Sequence, residues 1–238
     1  MTNAFAWVDA TVDALTPLAD PAKAVPMAAY MKHVAPFLGV TTVDRRTALK
    51  AGWADLGGID EPTLAAVCDE LWALPQREYQ YAACDLIARS RLALSAQFIV
   101  EPVQRLVVAK PWWDTVDSIE TAAICPVTAH HPELLPLMWS WLESDDRWLI
   151  RAAIQHQRGR KADTDFDVLY AMCDRHATDR EFFIAKAIGW ALRDATRWDR
   201  EGVQSFVDDH PGLSVVARRE ALRGLSRSSL PSVGSVPT

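Results

Sequence analysis

A chain of 238 residues, half of them hydrophobic and 24% charged, has the make-up of a globular protein, long enough to bury a core as one large domain or two small ones. A formal charge of −6 weighs against a nucleic-acid partner. With no apolar run approaching 18 residues and no basic leader, the sequence also weighs against a membrane span or export, so the cytoplasm is the expected compartment.

Ala and Leu are abundant, Gly is scarce at 10, and the pattern is helix after helix, broken by Pro, Gly or Asp. Apolar residues at helical spacing predict a first helix over 5–15. Asp20-Pro21 opens a second, which runs through Met27, Tyr30 and Met31. Thr42-Val43-Asp44 is read as the cap of a third, over 45–56, ending at Gly57-Gly58. Asp60-Glu61-Pro62 starts a fourth, with Pro in the first turn as helix starts favour. Pro75 stops it. Further helices are expected over 77–94, 96–108, 115–130, 132–143, 146–158, 166–176, 179–195, 200–208 and 214–225. These are about thirteen segments of similar length with short connectors, so the fold class is all-α. Tight turns between many similar helices suit an α-solenoid of HEAT-like antiparallel pairs with a concave face better than a closed bundle. A single repeat domain over 1–225 is expected, followed by a disordered tail over 226–238, which lacks periodicity.

Four cysteines (Cys68, Cys84, Cys125, Cys173) form no CxxC pair and lie in apolar helical patterns, the signature of buried free thiols in a reducing compartment. His130-His131 precede Pro132 at a helix break and make a poor metal site; no metal and no cofactor is expected. The net charge conceals an asymmetry. Residues 1–80 carry 10 acidic against 6 basic side chains, and residues 147–227 carry 15 basic against 12 acidic. A solvated mixed-charge surface and a binding face both fit that shift.

The densest concentration of chemistry is Lys110-Pro111-Trp112-Trp113-Asp114-Thr115-Val116-Asp117 at a helix start. An indole face attracts a cation through its quadrupole and a carboxylate attracts one through its charge. A site holding both suits something positive, whether a ligand, a substrate or a neighbouring Arg.

Several segments together resemble the bacterial DNA alkylation repair enzymes, the HEAT-like-repeat alkylpurine DNA glycosylases. They include PMAAYMK at 26–32, FLGV at 37–40, Arg45-Arg46, ELWALPQREYQ at 70–80 and KPWWDTVDSI at 110–119. WLIRAAI at 148–154, EFFIAKAIGWALR at 181–193 and RREAL at 218–222 complete the set. The resemblance spans roughly residues 20–225 in order. It implies a curved stack of helical pairs that cradles duplex DNA in its concave face. It also implies hydrolysis of the N-glycosidic bond of N3- and N7-alkylated purines, such as 3-methyladenine and 7-methylguanine, without enclosing a flipped base. Duplex DNA is then the expected partner of a monomeric enzyme.

By this resemblance Asp117 matches the catalytic carboxylate, which would stabilise the positive charge that gathers on deoxyribose as the base leaves, and would orient a water. A helix-start Asp interacting with the dipole is the plain alternative. Trp113 and Trp190 match the two aromatics flanking that acid, with core packing the alternative for Trp190; Trp112 is assigned to the core. Arg151 interrupts an apolar stretch. It either reaches a phosphate or pairs with Asp114 or Asp117. Tyr30 matches a groove tyrosine, and Thr42 and Arg46 look like phosphate contacts at a helix start. Lys186 and Arg193 share a helical face, and Arg218 and Arg219 extend the basic set, although each could be a solvated charge. Phe182-Phe183 is read as structural. After Arg151 the family tends to carry further lysines, where this chain has Gln155-His156-Gln157-Arg158-Gly159-Arg160-Lys161. No lysine nucleophile lies beside Asp117 in the sequence, so no lyase step is expected. A catalytically silent relative that binds DNA distortions, or a HEAT-type protein scaffold, is the competing reading; steep salt dependence of binding separates a DNA binder from a scaffold.

Overall fold

The computed structural model describes residues 4–90 and 94–227. Helices and their turns make up the described residues, and no strand occurs among them. The tail expected to be disordered lies, from residue 228 onward, outside the described residues. By its contacts the chain divides into two compact units, residues 1–134 and 135–238.

The first unit comprises α1 (Ala4–Leu15), α2 (Pro21–Tyr30), α3 (Thr42–Gly52), α4 (Glu61–Ala73), α5 (Arg77–Ser90), α6 (96–108) and α7 (113–130). Local chemistry sets most of the starts. Asp20 accepts from the Ala22 and Lys23 amides and Asp60 from the Thr63 amide, each leaving Pro in the first turn, where its missing N–H costs nothing. The third helix starts earlier than expected. Thr41, not Thr42, is its cap and accepts from the Asp44 amide, so Thr42 becomes the first helical residue. Two of the helices contain π turns, Ile99–Val103 in α6 and Glu120–Ile124 in α7. Pro102 lies within the first and Pro126 follows the second. Proline lacks an N–H and its ring collides with the carbonyl four residues back, and a wider turn relieves both faults without ending the helix.

In this unit α1 packs on α3, α3 on α5 and α5 on α7, while α4 flanks α1 and α5. The odd-numbered helices thus form one layer. Trp7, Leu15, Leu49, Trp53, Leu71 and Ile87 are buried between the elements. The Trp53 indole donates to Thr11 Oγ1 at 3.0 Å, and that hydroxyl donates to the Trp7 carbonyl at 2.7 Å, a short chain of hydrogen bonds that ties α3 to α1 within the core. Glu78, fully buried at the start of α5, accepts from the amides of Leu38, Gly39 and Val40 and straps the 38–40 segment to α5. Gly39 has φ +90°, and a Cβ there would lie 2.1 Å from the Asp20 carbonyl oxygen. Glycine alone fits that approach.

The second unit comprises α8 (Leu135–Leu142), α9 (Arg147–Gln155), α10 (Phe166–Arg175), α11 (Phe182–Ala195), α12 (Arg200–Asp209) and α13 (Val215–Leu225). Here α9 packs on α11 and α11 on α13, with α8, α10 and α12 on the flanks. The α11–α13 contact is close because it is built around Gly189, where a Cβ would meet the Ala217 backbone at 3.0 Å and Glu220 Cβ at 2.8 Å. α11 starts at Phe182 rather than Asp179. The Asp179 carboxylate turns the chain by accepting from the Glu181 amide, and Glu181 then caps the helix through the amides of Phe183 and Ile184. α9 ends at Gln155, three residues before the expected end, and the chain turns at Gly159 with φ +84°.

His156 sits just past α9, buried, its Nδ1 donating to the Ala153 carbonyl at 2.7 Å. Burial pulls its pKa down from 6.5 to about 4, so the ring is neutral at pH 7. A base whose pKa is lower folded than unfolded leaves the unfolded chain holding more protons between the two values. Stability is therefore complete above about pH 6.5 and lost as pH falls toward 4, by on the order of 3 kcal/mol. Thermal melts from pH 7 to pH 4.5 are expected to fall less steeply for His156→Gln than for wild type; parallel curves would assign the acid sensitivity elsewhere.

All four cysteines are buried, and none is in a disulfide. Burial raises the thiol pKa of Cys68 and Cys173, and lifts that of Cys84 to about 12.

Candidate functional site

In the first unit the candidate residues gather around the start of α7. The backbone of Trp112 is extended (φ −155°, ψ 161°), and α7 begins at Trp113. Trp112, expected in the core, is half-buried like Trp113, because it sits on the connector ahead of the helix rather than on an inward helical face. The Tyr30 ring meets Trp113 edge-on, with ring centroids 6.4 Å apart, although Tyr30 itself is 70% exposed.

The two carboxylates of the Trp-Trp-Asp-Thr-Val-Asp segment have different surroundings. Asp114 is 7% exposed and both its oxygens are engaged. Arg77, 0% exposed, donates from Nε to Oδ2 at 3.0 Å and from Nη2 to Oδ1 at 2.6 Å, and Tyr81 donates to Oδ2 at 2.5 Å. Arg77 also donates to Thr115 Oγ1, the Lys110 carbonyl and Gln80 Oε1, so its five N–H groups are well used. Burial, followed by the neighbouring Asp114 charge, raises the Tyr81 pKa, which keeps the phenol protonated as a donor. Lys110, at φ +48°, crosses to the end of α4 and donates to the carbonyls of Trp72, Ala73 and Leu74 at 2.6–3.1 Å, where the helix dipole favours a cation. Trp72 returns an indole hydrogen bond to the Ala109 carbonyl at 2.7 Å. The 109–112 connector and the first turn of α7 are thus pinned from both sides. Asp117 lies four residues after Trp113, on the same helical face, and is half-buried.

On α3, Thr42 is exposed. Arg46 is exposed too, with Nε donating to Asp85 at 3.1 Å. Asp85 also holds Arg45, whose guanidinium lies over the Tyr81 ring at 4.9 Å.

In the second unit the candidates surround Trp190 on α11, which is half-buried rather than a core residue. The Arg151 guanidinium lies over its ring at 5.0 Å and donates from Nη1 to the Phe183 carbonyl at 2.9 Å. At 1% exposure, Arg151 is a buried support for that indole, not a surface side chain. Lys186, Arg193 and Arg158 each come within 5.9 Å of the same ring. Lys186 and Arg193 are held in place by Glu220 of α13, at 2.8 and 2.5 Å. Burial pushes Glu220 up, but Lys186, Arg193 and Arg223 outweigh it and hold the carboxyl below its usual range. Arg218 donates to the His210 carbonyl, and Arg219 is exposed. Phe183 packs on Trp148 with centroids 4.7 Å apart, as a structural residue would, whereas Phe182 is exposed.

Except for Tyr30 on α2, every candidate lies on an odd-numbered helix of its unit. Sequence reasoning missed the polar groups that frame them: Arg77, Tyr81 and Glu220, with Glu78 strapping the 38–40 segment. Arg77-Glu78 does stand just after Pro75 at the head of an apolar helix, which marks a buried pair, but nothing in the spacing names partners 37–40 residues away.

Among the described residues no group of three or more His, Cys, Asp or Glu could hold a metal ion, and no helix is long and apolar enough to cross a membrane. The sequence profile of the DNA alkylation repair enzymes matches residues 11–225. No protein of curated function is matched by the sequence. A solved structure described as a predicted DNA alkylation repair enzyme from Enterococcus faecalis superimposes with a TM-score of 0.81 at 29% identity, covering 88% of this chain and 98% of that one.

Proposed function

This chain belongs to the DNA alkylation repair enzyme family, and we propose that within alkylation repair it acts as a monofunctional glycosylase, hydrolysing the N-glycosidic bond of cationic N3- and N7-alkylated purines in duplex DNA. The observation that carries this reading is the division of labour at the start of α7. Asp114 is held by Arg77 and Tyr81 as part of the frame, and Asp117 sits one turn on from Trp113, half-buried on the same helical face. A rigidly mounted carboxylate beside an indole face suits a sugar that turns positive as its base departs. An alkylated purine already carries the charge that makes it a leaving group, so the reading needs no general acid.

Trp190 has the cationic groups of Arg151, Arg158, Lys186 and Arg193 within 5.9 Å of its ring, with Lys186 and Arg193 oriented by Glu220. In this reading Trp190 with Lys186 and Arg193 faces the DNA backbone, while Trp113 and Asp117 face the charge. Tyr30 borders Trp113, and Thr42, Arg46, Arg218 and Arg219 are outlying backbone contacts.

Incubating the protein with duplex DNA containing 7-methylguanine is expected to release free base and leave an intact abasic strand. Tight, salt-sensitive binding without base release would instead favour a silent distortion binder, and binding indifferent to salt a protein scaffold.

A further inference from the structure

The second unit holds a cleft of about 790 Å³ where the C-terminal end of α11, the start of α12 and the C-terminal end of α13 meet. That is within the roughly 300–1,000 Å³ of small-molecule sites. Its described lining includes five arginines against one carboxylate, Asp194, together with Trp190 and, further along, Trp198. The arginines divide into fixed and available ones. Arg193 is tied to Glu220, and Arg200 donates to the carbonyls of Leu225 and Arg227 that end α13. Arg197 and Arg227 are exposed, and no described carboxylate pairs with either. Trp198 is 48% exposed, a large apolar surface left in water amid charge.

Guanidinium groups free to bind an anion, next to an uncovered indole in a recess, are the elements of nucleotide recognition: phosphate on Arg, base on the aromatic face. Paired bases are already stacked and cannot present a face to an indole; an unpaired one can. We propose that this cleft takes a single unpaired nucleotide, its phosphate between Arg197 and Arg227 and its base against Trp198. The inference goes beyond base release and rests on the reading above only in taking DNA as the strand that supplies the nucleotide. A free mononucleotide offers the same chemistry.

The test uses the full chain and two fluorescein-labelled duplexes without alkylated bases, one fully paired and one with a single-nucleotide bulge, compared by anisotropy. Wild type is expected to bind the bulged duplex about five- to 150-fold more tightly, the range that stacking one base on an aromatic provides. Trp198→Ala and the double variant Arg197→Gln/Arg227→Gln should each remove that preference, and Trp198→Phe should retain it. Melting temperatures establish that the variants fold. Competition by deoxyadenosine monophosphate assigns the site to free nucleotide as well as strand; bulge preference without competition assigns it to the strand alone. Equal affinity for both duplexes together with no competition overturns the proposal. Release of 7-methylguanine from a paired duplex is measured in parallel and should be unchanged by Trp198→Ala. Base release with neither bulge preference nor competition sinks this inference alone, and bulge preference without base release sinks only the glycosylase reading.

Discussion

Asp117→Asn lowers the single-turnover rate of 7-methylguanine release from duplex DNA by about 10²–10³-fold, the usual scale for removing one preorganised electrostatic group from a reacting centre. The substitution keeps size and shape and removes only the charge, so DNA affinity and melting temperature stay near wild type. The control is its neighbour. Asp114→Asn alters a carboxylate three residues away in the same motif, but one whose oxygens are already committed to Arg77 and Tyr81. Its first effect falls on stability. Measuring both variants for rate and for melting temperature separates chemistry from frame. Base release by Asp117→Asn at the wild-type rate would remove that residue from the mechanism.

The second large effect is expected at Arg77. Arg77→Ala leaves Asp114 buried without its cation and strips donors from the Lys110 carbonyl and Thr115, and the expected loss is about 3–5 kcal/mol in urea unfolding. Removing both charges is a different case. The double variant Arg77→Met/Asp114→Leu is expected to recover much of the loss, because two desolvated ions are replaced by apolar volume. A single variant within 1 kcal/mol of wild type would show that the network is incidental to the fold.

The comparison of sequence with structure has a physical pattern. Helix starts at Asp20-Pro21 and Asp60-Glu61-Pro62 were legible because a cap and the residues it serves are adjacent in the chain. The third helix was displaced because Thr41 and Thr42 have the same chemistry, and only backbone geometry tells which hydroxyl reaches the Asp44 amide. The π turns near Pro102 and Pro126 were not foreseen; proline marks where a helix is disturbed but not whether it breaks or widens. Trp113, Asp117 and Trp190 are the residues that the family resemblance puts forward. Their surroundings were not legible, because Arg77 with Asp114 and Lys186 with Glu220 are pairings across 37 and 34 residues that only packing creates. Trp190 is the clearest case: an indole in an apolar helical run was legible, but the approach of four cationic side chains to its ring was not.

One consequence concerns the cysteines. Electrophiles that alkylate purine nitrogens attack thiolates as well, and the thiolate rather than the thiol is the reactive species. Every sulfhydryl in this chain is enclosed, and those of Cys68, Cys84 and Cys173 are held in the protonated form. The burial that fills the core thus also withholds these sulfurs from reagents of that kind.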